Sequence, residues 1–111
     1  MGLTAIILTN LEIGDIRETI DSVSFADEIF LIKDSPSVLP KTFKEFTIYF
    51  RPLADNFAEA RNYGLSRANE DWVLFVDDDE IITAKLAEEI NRNQDLNQKI
   101  IAIKDLIYKE E

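Results

Sequence analysis

The amino-acid sequence contains no cysteine and no histidine among its 111 residues. The absence of cysteine excludes disulfide bonds and thiolate metal sites. The absence of histidine excludes Ser-His-Asp and Cys-His nucleophilic machinery, and it excludes imidazole ligands for zinc. Any chemistry of this chain therefore depends on carboxylates, arginine, lysine, hydroxyl groups and a hard metal ion.

Basic residues are also scarce, since 12 Lys and Arg stand against 22 Asp and Glu and give a formal net charge of -10. Proteins that bind nucleic acid or anionic membranes neutralise phosphates with Lys and Arg. The charge therefore argues against nucleic acid as a partner, and against an anionic membrane surface as the main one. An acidic chain that binds an anionic ligand needs a cation between the two.

Long apolar runs are missing as well. No run approaches the ~20 residues that span a bilayer, and the first residues lack the cationic region of a targeting signal. We therefore expect a cytoplasmic protein, with a peripheral position at the inner face of the membrane as the alternative. A length of 111 residues suits one domain with one core.

The apolar residues that are present alternate between strand-like runs and helix-like spacings. Short apolar runs predict buried strands at residues 5–8, 29–32, 46–50 and 72–76. Apolar residues at helical spacing predict three helices: one through Ile13, Ile16, Ile20 and Val23, one with Phe57, Ala60, Gly64, Leu65 and Ala68 on its inner face, and one from about Thr83 with Leu86 and Ile90 inward.

The sequence indicates the ends of these helices and strands less clearly than their middles. Asn56 and Glu59 have the spacing of a capping box at the start of the second helix. The polar residues 91–98 predict a loop, and residues 100–103 predict a last strand or part of a helix through Tyr108. Strands that alternate with helices predict an α/β fold, with a Rossmann-like, mostly parallel sheet and flanking helices.

The carboxyl ends of the predicted strands locate a candidate site, because ligands of open parallel sheets bind there. The fourth strand runs directly into Asp77-Asp78-Asp79-Glu80, whose carboxylates repel one another unless a cation or a helix terminus relieves them. In one interpretation, Asp79 and Glu80 only stabilise the first turn of the next helix. In the other, Asp77 and Asp79 share one side of an extended chain and bind Mg²⁺ or Mn²⁺.

Residues 58–80 resemble the signature of glycosyltransferase family two, which has the GT-A fold. Members of that family read "A-x-x-R-N-x-G-x-x-x-A-x-x-x-W-(V/I)-x-x-(L/V)-D-x-D-E", and the chain matches this pattern from Ala58 to Glu80. The segment 6–12, I-I-L-T-N-L-E, is similar to "I-I-x-T-x-N-E". The segment 26–35 is similar to "A-D-E-I-x-x-x-D-S" in its first four residues and in Asp34-Ser35. Within the family, the chain resembles the subgroup that adds sugars to bacterial lipopolysaccharide cores.

The resemblance implies a metal-dependent transfer of a sugar, with inversion, from a nucleotide-diphosphate donor to a glycan or lipid-linked acceptor. A UDP-sugar is the first candidate donor, and Mg²⁺ or Mn²⁺ is the implied cofactor. The cation would offset the charge of the diphosphate and polarise the leaving group.

The resemblance also implies roles for individual residues. Thr9 and Glu12 would line the base and ribose pocket, and Asp34 would hydrogen-bond the nucleobase. Arg61 would lie near the nucleotide or its phosphates. Asp77 would face the ribose and the metal, and Asp79 would coordinate the metal directly.

Three of these residues also have a simpler structural interpretation. Arg61 suits a surface ion pair, which would contribute little to stability. Asp34 suits a turn cap ahead of Pro36. Glu12 suits a first-turn acid of the first helix.

The chain departs from the family pattern after the second strand. There the family usually shows "D-S-G-S-T-D-x-T", whereas this chain has Asp34-Ser35-Pro36-Ser37, without the glycine and without the second aspartate. Leu11 stands where the family commonly has asparagine. These differences favour either impaired recognition of the nucleotide or a donor that differs from the family's usual one.

The segment after the acidic run is short, since about thirty residues follow Glu80. They carry no motif of the family's acceptor-binding half, which supplies the catalytic base; Glu88, Glu89 and Asp105 are acids of this segment, and nothing singles one out. We therefore expect residues 1–111 to form a single nucleotide-sugar-binding domain without the acceptor half, and to self-associate through exposed apolar surface. The alternative function is a non-catalytic nucleotide-binding or protein-interaction module on the same fold.

Overall fold

The computed structural model describes residues 2–36, 38–52 and 57–95, with side chains up to residue 91. It contains the strands β1 (Leu3–Thr9), β2 (Glu28–Asp34), β3 (Lys41–Thr42), β4 (Thr47–Arg51) and β5 (Trp72–Asp77), the helices α1 (Arg17–Ser22), α2 (Phe57–Arg67) and α3 (Ala84–Asp95), and a 3-10 helix (Ile13–Ile16). Asn56 of the capping box, the segment 100–103 and Asp105 lie outside the described residues.

The strands form one five-stranded sheet in the order β3-β4-β2-β1-β5. β1 pairs in parallel with both β2 and β5, and β2 pairs in parallel with β4. Only the two-residue β3 runs antiparallel, beside β4. The prediction of an α/β fold with a Rossmann-like, mostly parallel sheet is confirmed.

The two faces of the sheet bury different residues because successive side chains of a strand alternate. Leu3, Ala5 and Ile7 of β1 pack on the face that carries α1 and α3. Ile6 packs on the opposite face, against α2. Ile6 and Ile7 are fully buried, and each such side chain contributes about 1.5–3 kcal/mol to folding. The unbroken apolar run of β1 therefore follows from helices on both faces of the sheet.

Helix α2 approaches the sheet closely at Gly64. A Cβ atom at this position would lie 3.0 and 3.1 Å from two side-chain carbons of Ile6, and 3.2 Å from Ile32 Cδ1. The buried face of α2 thus consists of small residues, with Ala60 beside Gly64. The prediction that Phe57 and Leu65 also face inward was wrong, because their side chains are 51% and 45% exposed.

Two other predicted boundaries differ from the structure. The first helical segment begins as a 3-10 helix, and only Arg17–Ser22 is α-helical. Residues 91–95, which the sequence placed in a loop, continue α3 through Asp95. A polar run is compatible with a helix whose outer face meets solvent, so polarity alone does not mark the end of α3.

The connection from β2 to β4 contains no helix, and β3 forms its only regular part among the described residues. Leu39 and Val38, which precede β3, are 85% and 59% exposed. The expected exposed apolar surface is therefore present at this edge of the sheet, and Ile81, ahead of α3, is 50% exposed. Self-association itself stays a prediction. In the described part of the chain, no helix combines the length and apolar character needed to cross a bilayer.

The amino ends of the strands are joined through Glu28. Its carboxylate accepts hydrogen bonds from Thr4 Oγ1 at 2.7 Å and from the Asn69 backbone N–H and side-chain amide at 2.9 and 2.6 Å. Partial burial would raise the pKa of Glu28, but these hydrogen bonds outweigh it and hold the pKa below its ordinary value. The ionised carboxylate therefore ties β2 to β1 and to the segment ahead of β5.

Candidate functional site

The carboxyl ends of four parallel strands meet at one edge of the sheet, which we call the carboxyl edge. In spatial order it carries Arg51 at the end of β4, Asp34 at the end of β2, Thr9 at the end of β1 and Asp77 at the end of β5. Asp34 is in register with Arg51, and Asp77 is in register with Leu8. The structure thus brings Thr9, Asp34 and Asp77, predicted from separate motifs, to neighbouring positions.

A tight turn follows β5 at once. The Glu80 N–H donates to the Asp77 carbonyl oxygen at 3.0 Å, and the Asp77 N–H donates to Glu80 Oε1 at 2.8 Å. Asp78 and Asp79 therefore occupy the two central positions of a four-residue turn. The premise that Asp77 and Asp79 lie along an extended chain was wrong, because the chain reverses directly after Asp77. Both residues are nevertheless exposed at the carboxyl edge.

Asp78, which the sequence did not single out, anchors this turn. Its Oδ2 accepts a hydrogen bond from Thr9 Oγ1 at 2.8 Å, and its backbone oxygen accepts one from Thr19 Oγ1 at 3.0 Å. These partners lie far from Asp78 in sequence, so no local pattern identifies it. Of the three consecutive aspartates, the middle one faces the protein, and Asp77 and Asp79 are exposed to solvent.

Thr9 is only 2% exposed, and its hydroxyl group is used within the protein. The hydroxyl donates to Asp78 and accepts the Leu11 N–H at 2.9 Å. Thr9 thus fixes the loop after β1 and the turn after β5 in one arrangement. Thr9 would therefore contribute to nucleotide binding by holding these two segments in position.

Glu12 lies on the loop after β1, with its side chain 85% exposed. It is the N-cap residue of the 3-10 helix, one position ahead of the first turn, and its carboxylate makes no capping hydrogen bond there. Lys33 Nζ lies 3.8 Å from Glu12 Oε2 and donates to the Leu11 carbonyl oxygen at 2.6 Å. The Glu12 side chain therefore faces solvent at the rim of the carboxyl edge.

The pleat of the sheet places Asp34 and Asp77 on the face that α2 covers. Phe30 and Ile32 pack in the core cluster on that face, and Asp34 follows them with the same period of two. Phe75 belongs to the same cluster, and Asp77 follows it in the same way. The guanidinium carbon of Arg61, on α2, lies 5.9 Å from the centre of the Phe75 ring. Arg61 is therefore on the same side of the sheet as both acids.

Arg51 is the cation of this edge that the sequence did not single out. Its guanidinium carbon lies 4.4 Å from the centre of the Tyr63 ring, and its Nη2 lies 3.7 Å from Glu59 Oε1. Tyr63 in turn meets Tyr49 edge-on, with ring centres 5.7 Å apart. The pairing of Arg51 with Asp34 depends on strand register, which the sequence alone does not supply.

The acids of the turn suit a metal bound together with a ligand. Among the described residues, no group of three or more acidic side chains is arranged to hold a metal ion. Asp77 and Asp79 offer two exposed carboxylates, and Mg²⁺ commonly takes one or two carboxylates and completes its shell with water and substrate phosphates. The donor set therefore fits a hard cation that arrives with a diphosphate.

A family model described as "Glycosyl transferase family 2" matches residues 4–108. The chain belongs to glycosyl transferase family 2. The sheet described above is consistent with the Rossmann-like half of that family's GT-A fold. Membership of the family indicates a nucleotide-sugar donor and an acceptor in general terms. No curated protein and no solved structure gives a significant match to the chain.

Proposed function

We propose that the chain binds a nucleotide-diphosphate sugar at its carboxyl edge, together with Mg²⁺ or Mn²⁺ at Asp77 and Asp79. A UDP-sugar is the donor we would test first. The observation that carries the proposal is the turn after β5, because Asp78 faces inward and leaves Asp77 and Asp79 exposed at the edge that also carries Asp34. The site thus offers oxygen ligands to a metal at the position where parallel sheets bind ligands.

The charge of the chain supports the need for a metal. A net charge of -10 disfavours a free diphosphate, and four acids lie in the turn alone. A divalent cation would neutralise part of both charges and act as a Lewis acid on the leaving diphosphate. Within the described residues, Arg51 and Arg61 are the arginines at this edge that would add to the neutralisation.

The second half of the proposed reaction is transfer of the sugar to a glycan or lipid-linked acceptor. Inverting transfer needs a base that removes the proton of the acceptor hydroxyl group. Glu88 and Glu89 lie on α3, close in sequence to the acidic turn, and either is a candidate to be tested by substitution. The lipopolysaccharide core, which is the acceptor of the subgroup that the sequence resembles, is the acceptor that we propose to examine first.

Calorimetric titration of UDP and UDP-sugars, with and without Mn²⁺, tests the donor site. We expect binding that depends on Mn²⁺ and that weakens at least ~10-fold in Asp79→Ala, the change typical when a metal site is damaged. Asp71→Ala is the matched control, because Asp71 is an exposed aspartate at the opposite end of β5. Equal binding by the two variants, or no nucleotide binding by the unaltered chain, would count against the proposal.

A further inference from the structure

We propose that residues 38–45, which we call the β3 segment, dock the protein on a lipid bilayer that contains anionic headgroups. The inference goes beyond the proposed function and does not rest on nucleotide binding. Every residue of the segment is exposed. Val38, Leu39 and Phe43 are 59%, 85% and 50% exposed, and they make up three of the seven large apolar side chains exposed in the described part of the chain. Apolar side chains that are concentrated in this way indicate a docking surface.

The β3 segment also carries cations that no acid neutralises. Lys41 and Lys44 form no ion pair with any residue that the structure describes. The one acid of the segment, Glu45, accepts two hydrogen bonds from Arg17 Nη2, at 3.0 and 2.9 Å. The segment is therefore locally positive, although the whole chain has a net charge of -10.

The strand order places this positive surface far from the acidic turn. β3 and β5 are the outer strands of the described sheet, four strand spacings apart, or about 19 Å. At physiological ionic strength, charges are screened beyond ~8 Å. The acids at 77–80 therefore do not repel headgroups that meet the β3 segment, and the argument from net charge does not extend to this side of the protein.

A lysine and an aromatic ring lie on the same face of β3. Lys41 is in register with Ile48, which packs in the core cluster on the α1 face, and its Nζ lies 5.9 Å from the centre of the Phe50 ring. The Phe43 ring lies 5.3 Å, between centres, from Phe46 of the same cluster. A bilayer surface can receive both side chains together, because a lysine lays its methylene chain along apolar groups and keeps its ammonium group among polar ones.

The same segment is poorly suited to pairing with a second copy of the chain. β3 is only two residues long, Pro40 precedes it and Lys41 lies within it. Short strands, proline and lysine are features that keep edge strands from pairing with one another. A symmetric contact would also set the lysines of one copy against those of the other. A bilayer instead offers anionic headgroups to the lysines and acyl chains to the apolar side chains.

Co-sedimentation of the full chain with lipid vesicles tests the inference. The vesicles contain phosphatidylcholine alone, or phosphatidylcholine and phosphatidylglycerol in equal parts. We expect binding to the mixed vesicles that weakens as salt is added, because salt screens the lysines. Leu39→Gln should weaken this binding by at least ~10-fold, the factor expected when a leucine side chain no longer leaves water. Lys41→Gln and Lys44→Gln should each weaken it by about fivefold.

The chain offers a matched control for each kind of side chain. Leu65 is a leucine of α2 that is 45% exposed, so Leu65→Gln makes the same replacement away from the β3 segment. Lys85 is an exposed lysine of α3, and Lys85→Gln removes the same charge. We expect both control variants to bind the mixed vesicles as the unaltered chain does. Circular dichroism and urea unfolding verify that each variant is folded.

Each result decides the inference. Equal binding of Leu39→Gln and Leu65→Gln to the mixed vesicles would overturn it, and so would a lack of binding by the unaltered chain. Equally strong binding to the neutral vesicles would show that the lysines do not contribute, and would overturn it as well. Dimers in light scattering that Leu39→Gln dissociates, without any vesicle binding, would assign the segment to a second copy instead. Titration with UDP is independent of these results, so failure of the proposed function would leave the inference intact.

Discussion

The hydroxyl group of Thr9 donates a 2.8 Å hydrogen bond to the carboxylate of Asp78 and thereby joins the end of β1 to the turn after β5. Thr9 also accepts the Leu11 N–H, so one buried hydroxyl group positions two of the loops at the carboxyl edge. The exposed Asp77 and Asp79 flank Asp78 in the chain. The geometry of the proposed metal site therefore depends on a residue that need not touch the ligand.

Thr9→Val tests this dependence, because valine keeps the shape of threonine and removes the hydroxyl group. We expect the free energy of unfolding in urea to fall by about 1.5–3 kcal/mol, the usual effect of losing a hydrogen bond to a charged group. We also expect Mn²⁺-dependent UDP binding to weaken. Thr9→Ser is the control, since it keeps the hydroxyl group. Equal stability and equal binding of the valine and serine variants would contradict the role assigned to the Thr9–Asp78 bond.

The lowered pKa of Glu28 predicts how the stability of the fold depends on pH. Its pKa is lowered in the folded chain because hydrogen bonds from Thr4 and Asn69 outweigh the effect of burial. A lowered pKa means that the carboxylate stabilises the fold at pH values above its unfolded pKa of about 4.3. This contribution is lost as the pH falls through the lower, folded pKa.

The Glu28→Gln variant isolates that contribution. Its amide nitrogen would face the Asn69 donors, so we expect a loss of about 1 kcal/mol in unfolding free energy at pH 7. The difference from the unaltered chain should shrink as the pH falls below ~4. Asp71→Asn is the control, since Asp71 is an exposed aspartate in the same region. A difference that stays constant down to pH 3, or grows toward it, would contradict the assignment.

The sequence predicts the central strands well because both faces of the sheet are covered. The apolar runs at 5–8, 29–32 and 72–76 lie within β1, β2 and β5, and nearly all of their side chains are buried. β3 could not be predicted in this way, since Lys41 and Thr42 are both exposed and form a strand only through pairing with β4. The prediction that Phe57 of α2 faces inward was wrong because an apolar residue need not be buried.

The candidate site could be predicted only in part, for a related reason. Asp34 and Asp77 each follow an apolar run, and the rule that ligands bind at strand ends applies directly to them. Arg51 also follows an apolar run, residues 46–50, but its pairing with Asp34 depends on the register of β2 with β4. The inward position of Asp78 depends on the hydrogen bond from Thr9. No spacing along the chain encodes either contact.

The close approach of α2 to the sheet gives the last prediction. In Gly64→Ala the new Cβ would lie about 3 Å from the Ile6 side chain. Such overpacking costs ~1–3 kcal/mol, and the higher helix propensity of alanine returns up to ~1 kcal/mol. We expect a net loss of about 1 kcal/mol in unfolding free energy. Gly14→Ala is the control, because a Cβ there meets no atom within 4 Å.

Ile6→Val separates crowding from other effects of the Gly64→Ala change, since it removes the Ile6 Cδ1 atom that lies nearest the new Cβ. Residues in contact couple in double-mutant cycles, so Gly64→Ala should cost less in the Ile6→Val background. The same displacement of α2 would move Arg61, which lies on the helix over Phe75, and weaker UDP binding should accompany the loss of stability. A Gly64→Ala variant at least as stable as the unaltered chain would show that the Ile6 side chain can move aside, and that the contact does not fix the position of α2.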